Sequence, residues 1–142
     1  MSSANVETVR KIQACWNEER LEDLDQYFAP DFDNSRSLPP GMPPGLAGAK
    51  TAHGFSRQTF SNRKTEELEI IDGGDVVLLR NKVTGVNSSG VAWLGVPANG
   101  RSFEIEAWSI YRFNAEGKVV SHSGLNDMMA MKRQLEAEPQ PA

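Results

Sequence analysis

Apolar residues near the start of the chain recur at helical spacing. One set falls at Val6, Val9, Ile12 and Trp16, and a second set follows the polar stretch "NEER". Steps of three and four residues bring such positions onto one face of a helix, so the pattern predicts two helices. The members of the second set are Leu21, Leu24, Tyr27 and Phe28. A third helix is predicted over "AKTAHGFSRQTFS", although Gly54 weakens its interior.

The segment before that third helix, "APDFDNSRSLPPGMPPGLAG", contains five prolines and three glycines. Proline and glycine at this density interrupt both helices and strands. The segment is therefore predicted to be a non-helical loop, with at most a short extended piece at residues 31–34.

After residue 62 the pattern changes to short strands separated by turn signals. "TEELEIID" and "DVVLLRNKVTG" flank Gly73–Gly74, a dipeptide typical of hairpins. Further strands are predicted over "SGVAWLG", "RSFEIEAWSIYRF" and "KVVSHSGL". A closing helix, "DMMAMKRQL", has Asn126 placed to cap it and Asp127 in its first turn, where a carboxylate favours the helix dipole. Helices followed by antiparallel strands predict an α+β fold with a concave interior.

Length and charge narrow the class of protein. The 142 residues suit one domain, 1–142, with an ordered core at about 5–136 and a disordered tail "EAEPQPA". A net charge of -4 without a basic patch argues against nucleic acid as a partner. The chain has no apolar run long enough for a signal peptide or a membrane span, so a cytoplasmic protein is expected. One cysteine, Cys15, and two histidines make a metal site improbable.

Three stretches resemble a known family: "LEDLDQYFAPDFDN", "GVPANGRSFE" followed by "YRFNAEGKV", and "GKVVSHSGLNDMMAMKRQL". Over about residues 5–136 the chain resembles SnoaL-like polyketide cyclases, a branch of the NTF2-like superfamily. The resemblance implies an α+β cone, in which three N-terminal helices pack on a strongly curved, mostly antiparallel sheet that encloses a pocket, with a short C-terminal helix. It also implies an enzyme of secondary metabolism, such as antibiotic biosynthesis, that uses no cofactor.

The resemblance places the pocket on one face of the last two strands. Ala107, Ser109 and Tyr111 alternate onto that face, and so do His122 and Gly124. The family's general acid and base, an aspartate, falls on Gly124; a family histidine falls on Ser109, and a family glutamine falls on Ala107. His122 is then the one titratable candidate for catalysis, with an unperturbed pKa that suits proton transfer at neutral pH.

Other residues are candidates for substrate binding. Ser109 and Tyr111 would donate hydrogen bonds beside His122, and Asn34 in "PDFDN" would bind a substrate carbonyl. Trp16 and Trp93 would line a pocket for a large apolar ligand. These residues also have structural interpretations. Asn34 would be a turn residue, and Tyr111 and the two tryptophans would pack in the core. His122 would be a hydrogen-bonded residue that only lines the pocket. Asp127 is interpreted as structural.

Three functions remain open from the sequence. The first is a cofactor-independent cyclase of a largely apolar polyketide-like molecule, acting by shape-driven closure such as a [4+2] cycloaddition or by aldol closure with His122 as base. The second is a small-molecule binding protein that has lost the chemistry. The third is an epoxide hydrolase or hydroxylase-like protein, which would need a pocket carboxylate such as Asp31 or Asp33 beside a second acid. The opposite sheet face, with Glu104, Glu106 and Trp108, is expected to form a homodimer or a higher homo-oligomer.

Overall fold

The computed structural model describes residues 3–136 and shows an α+β fold with helices on a five-stranded sheet. The sequence prediction of the fold class is thereby confirmed, although the helical segments differ in detail. The elements in chain order are α1 (Ala4–Asn17), a 3-10 helix (Leu21–Tyr27), β1 (Phe28–Asp33), α2 (Gly45–Thr59), β2 (Phe60–Asp72), β3 (Val76–Asn87), a short 3-10 helix (Ala92–Leu94), β4 (Ser102–Phe113), β5 (Val119–Asn126) and α3 (Met128–Glu136). The predicted disordered tail begins at Glu136, which is instead the last residue of α3, and the rest of that tail lies outside the described residues.

The sheet has the strand order β1-β5-β4-β3-β2 and is mostly antiparallel. Only β1 runs parallel to its neighbour, β5. The predicted Gly73–Gly74 turn joins β2 to β3 as a hairpin. Strand β4 lies at the centre, where it pairs with β3 on one side and with β5 on the other. Residues from all three strands therefore share one continuous concave face.

Helix α1 covers this concave face with the apolar side that its sequence predicts. Its side chains at Val6, Val9, Ile12 and Cys15 are buried, and the Ser3 side chain caps the helix by accepting a hydrogen bond from the Val6 N–H at 3.2 Å. The same helix ends beside β2, because the Asn17 side chain bonds to the backbone of Thr65. These contacts hold the helical layer over the sheet.

Two apolar clusters fill the concave side of the sheet. The first packs α1 against Val77, Leu79 and Tyr111. The second packs the two buried side chains of α3, Met131 and Leu135, against the other end of the same strands. The buried side chains along this face of β3 include Asn81, which stands between Leu79 of the first cluster and Val83 of the second, so a polar residue separates the two apolar clusters.

The local structure departs from the sequence prediction at several positions. Helix α2 begins at Gly45, inside the segment predicted to be a non-helical loop, and it ends at Thr59, so residues 60–61 of the predicted helix belong to β2. The predicted strand over "SGVAWLG" is wrong: residues 92–94 form a 3-10 turn, and a single bridge between Val91 and Val96 closes the loop. The predicted cap at Asn126 is also wrong, because Asn126 is the last residue of β5. Asp127 caps α3 instead, with its Oδ1 atom accepting from the Ala130 N–H at 3.0 Å. No helix within residues 3–136 is long and apolar enough to cross a membrane.

Candidate active site

The pairing of β4 with β5 places most of the predicted site residues together. Tyr111 lies opposite His122, Ser109 opposite Gly124, and Ala107 opposite Asn126. The Tyr111 and His122 rings are in contact, with centroids 4.8 Å apart and an interplanar angle of 56°. The predicted residues of these two strands therefore form one patch on the concave face. Their roles toward a substrate stay predictions.

His122 is held by a residue that the sequence did not single out. The Ser37 Oγ atom lies 3.0 Å from the backbone oxygen of His122 and 3.1 Å from its Nδ1 atom. A hydroxyl has one hydrogen, and the backbone oxygen can only accept, so this hydrogen goes to the backbone. Nδ1 must then carry the ring proton and donate to Ser37. The remaining nitrogen, Nε2, makes no hydrogen bond within residues 3–136, so its lone pair is free among them.

Burial sets the charge of His122. Loss of water around the ring lowers its pKa from the ordinary 6.5 to about 4, so the imidazole is neutral at pH 7. The sequence prediction of an unperturbed pKa near neutrality is therefore corrected. Burial also raises the pKa of Tyr111, which keeps its hydroxyl protonated and able to donate a hydrogen bond. The pair thus combines a neutral base with a neutral donor.

Gly124 leaves room for the His122 ring. A Cβ atom built on Gly124 would lie 3.1 Å from His122 Cε1 and 3.7 Å from Nε2. The imidazole therefore occupies the space into which a side chain at position 124 would extend. His122 Nε2 therefore lies next to the position at which the family resemblance implied an aspartate.

Asn81 is a polar residue of the same face that the sequence analysis missed. It lies opposite Ala107, is 5% exposed, and makes no side-chain hydrogen bond within residues 3–136. In that part of the chain every side-chain nitrogen or oxygen sealed from water has a partner, so the Asn81 amide must border space that water can enter. A signal was present, since asparagine interrupts the inward apolar series of β3.

The other predicted binding residues lie apart from this patch. Both ends of the Asn34 amide are used by Gly45, with the side-chain nitrogen donating to the Gly45 oxygen at 2.9 Å and the side-chain oxygen accepting from the Gly45 N–H at 3.1 Å. Trp16 is half-buried, and its ring lies tilted against the ring of His53, with the two centroids 4.8 Å apart. Trp93 is 60% exposed and meets the edge of Phe60.

Asn34 borders a depression of about 460 Å³ beneath the proline-rich loop, which does not include His122. Asp31 and Asp33 on β1 are exposed, and Asp33 accepts from the Ser35 N–H at 2.9 Å within a turn. Asp33 also lines this depression, but none of the other described residues that line it is an acid, so the carboxylate pair that the hydrolase alternative requires is not formed there. Within residues 3–136 no three His, Cys, Asp or Glu side chains are grouped so that they could hold a metal ion.

The chain belongs to the SnoaL-like polyketide cyclase family, whose model matches residues 6–135. It is 29% identical over 129 residues to nogalonic acid methyl ester cyclase from Streptomyces nogalater, covering 90% of this chain and 93% of that one. The structure of IdmH from Streptomyces antibioticus superimposes with a TM-score of 0.79 at 26% identity, over 95% of this chain and 100% of IdmH. TsrD from Streptomyces laurentii shares the fold, with a TM-score of 0.80 at 23% identity over 97% and 99% of the two chains.

Proposed function

We propose that this protein closes a ring in a polyketide-like molecule without a cofactor, with His122 as the general base. One observation carries the proposal: a neutral imidazole whose Nδ1 proton is held by Ser37 and whose Nε2 lone pair lies beside Gly124. A base must be unprotonated to accept a proton, and burial keeps His122 in that form at neutral pH. The family's cyclase activity supports the same reaction class.

The proposed reaction is an intramolecular aldol closure. Nε2 takes a proton from a carbon next to a carbonyl, and the resulting enolate carbon attacks a second carbonyl of the same chain. A carbon–carbon bond forms, the π electrons of the second carbonyl become an alkoxide, and the imidazolium returns the proton to that oxygen. The hydroxyls of Ser109 and Tyr111 and the amide of Asn81 are proposed to donate hydrogen bonds to the oxygens that gain charge.

The low basicity of His122 favours a particular kind of carbon acid. A base with a pKa of about 4 is weak, so the proton should come from an acidic carbon such as one between two carbonyls. Such carbons alternate along a poly-β-ketone chain. The same low basicity also favours a second candidate, shape-driven closure. In that reaction the pocket brings two ends of the substrate together, and His122 only lines the pocket.

A rate comparison separates the two candidates. The first substrate to try is nogalonic acid methyl ester, named by the similar cyclase, with product formation followed as a new isomer of identical mass by chromatography and mass spectrometry. If His122 is the base, His122→Ala should lower kcat on the order of 10²-fold or more. A loss of less than about tenfold would instead assign the closure to shape.

A test in the producing organism does not depend on choosing the substrate. Deletion of the gene should cause an uncyclised isomer of the normal product, with the same mass, to accumulate. A complementing copy with His122→Ala should leave that isomer in place. An unchanged metabolite profile, or an accumulated molecule that differs by oxygen or water, would contradict the proposed ring closure.

A further inference from the structure

Arg63 lies on an irregular part of β2 that turns its side chain toward the concave face. Ser61 pairs with Val86 and Lys64 pairs with Thr84, so Asn62 and Arg63 together stand opposite Gly85. Such a bulge changes the direction of a side chain. Asn62 has a left-handed φ of 53° and is exposed, whereas Arg63 is partly buried. Gly85, which has no side chain, is buried opposite it.

The guanidinium group of Arg63 has no partner in the part of the chain that the structure describes. Within residues 3–136 its side chain makes no hydrogen bond and no ion pair, and only its backbone oxygen is engaged, by Arg57 Nη1 at 2.8 Å. Partly buried arginines are normally paired, because removing the charge from water costs free energy. Burial lowers the pKa of Arg63 to about 10, which still leaves the group charged at neutral pH.

The surrounding charges do not neutralise Arg63. The carboxylate whose charge acts on Arg63, Glu19, already forms an ion pair with Arg57, and one of its oxygens lies 3.1 Å from His53 Nε2. Burial lowers the pKa of His53, so this ring adds no positive charge at neutral pH. The region therefore holds two guanidinium groups and one carboxylate, an excess of one positive charge.

We propose that Arg63 binds an acidic group of the substrate, with a carboxylate as the chemical class that fits. The planar guanidinium presents parallel N–H donors that match two carboxylate oxygens, and low exposure to water strengthens this pairing. The ligand is then a largely apolar molecule with one negative charge. This inference deepens the proposed function, since it takes the ligand to be the substrate of that reaction.

Two matched aromatic probes test the inference directly. 2-Naphthoate carries the negative charge, and 2-naphthamide has the same ring system without it. We expect wild-type protein to bind 2-naphthoate about tenfold or more tightly than 2-naphthamide in calorimetric titrations at neutral pH. Arg63→Gln should remove this preference, while Arg112→Gln, a change at an exposed arginine of β4, should keep it. Equal binding of the two probes by wild-type protein, no binding of 2-naphthoate, or an unchanged preference in Arg63→Gln would overturn the inference.

A stability measurement distinguishes a binding role from a structural one. If Arg63 is kept for a ligand, Arg63→Gln removes an unpaired charge and should melt at the same temperature as ligand-free wild type or a few degrees above it. A lower melting temperature would show that the arginine supports the fold and would count against the inference. His122→Ala should retain the preference for 2-naphthoate, so the anion site and the catalytic base can fail separately.

Discussion

At the scale of single residues, His122 depends on two separate contacts for its chemistry. Burial of the ring makes it neutral, and the single hydrogen of the Ser37 hydroxyl decides which ring nitrogen keeps a proton. Neither effect alone would produce a base at Nε2. A buried histidine without Ser37 would exchange its proton between both nitrogens, and an exposed one would be partly charged near neutral pH.

The depressed pKa of His122 predicts how stability changes with pH. The unfolded imidazole takes up a proton near 6.5 and the folded one near 4. The stabilisation is therefore complete above pH 6.5 and is lost as the pH falls toward 4, by about 3 kcal/mol for a shift of this size. His122→Gln should remove this part of the acid sensitivity. Urea unfolding of both proteins between pH 7 and 4 measures it, and parallel curves would contradict the shift.

Gly124 gives a second prediction at this scale. Gly124→Asp would place a carboxylate beside the imidazole, and an adjacent negative charge favours the protonated ring. The pKa of His122 should then rise from about 4, as followed by NMR of the ring Cε1 proton. Gly124→Asn has nearly the same size without the charge and serves as the control. An equal rise in both variants would assign the effect to displacement of the ring rather than to charge.

At the scale of elements, two glycines of α2 should respond oppositely to the same substitution. A Cβ on Gly48 would lie 1.9 Å from the backbone oxygen of Pro43, whereas a Cβ on Gly54 meets nothing within 4 Å. Gly54→Ala should raise the free energy of unfolding by about 0.5–1 kcal/mol, because alanine favours a helix. Gly48→Ala should lower it by about 1–3 kcal/mol, because the start of α2 must move away from the loop. Denaturant unfolding of the two variants compares them directly, and a stabilised Gly48→Ala would contradict this packing.

The elements also explain how far the sequence could be interpreted. Periodicity identified α1, and the Gly73–Gly74 dipeptide identified the hairpin, because both depend on local sequence. That Tyr111 and His122 share one face was implied by the family resemblance, and the pairing of β4 with β5 agrees with it. Periodicity failed at residues 92–94, which a bridge between Val91 and Val96 closes into a turn. Ser37 lies in an aperiodic loop and reaches His122 only through the tertiary fold, so no spacing pattern could have found it.

At the scale of the whole molecule, the two faces of the sheet have different chemistry. The concave face carries the apolar clusters and the candidate site, whereas the convex face carries ion pairs between strands. Arg80 bonds to Glu106 at 2.8 Å, and Lys82 bonds to Glu66 at 3.0 Å. Apolar residues lie next to these pairs: Trp108, which is 50% exposed, stands opposite Leu125, which is 80% exposed. Exposed apolar side chains at this density on a sheet face are typical of a protein interface.

We propose that a second copy of this chain covers the convex face, forming a homodimer by twofold pairing of the same surface. Light scattering after size exclusion should give twice the chain mass at micromolar concentration. Leu125→Asp should shift the protein toward monomer, because a charge buried in the interface would lack a partner. Phe55→Asp changes an equally apolar exposed residue, 54% exposed on α2 in the helical layer, and should leave the dimer intact. A wild-type monomer, or the same loss of mass in both variants, would contradict the proposed interface.

Because His122 and Gly124 share β5 with Leu125 but lie on the opposite face, monomeric Leu125→Asp should keep the carboxylate preference measured with the naphthalene probes.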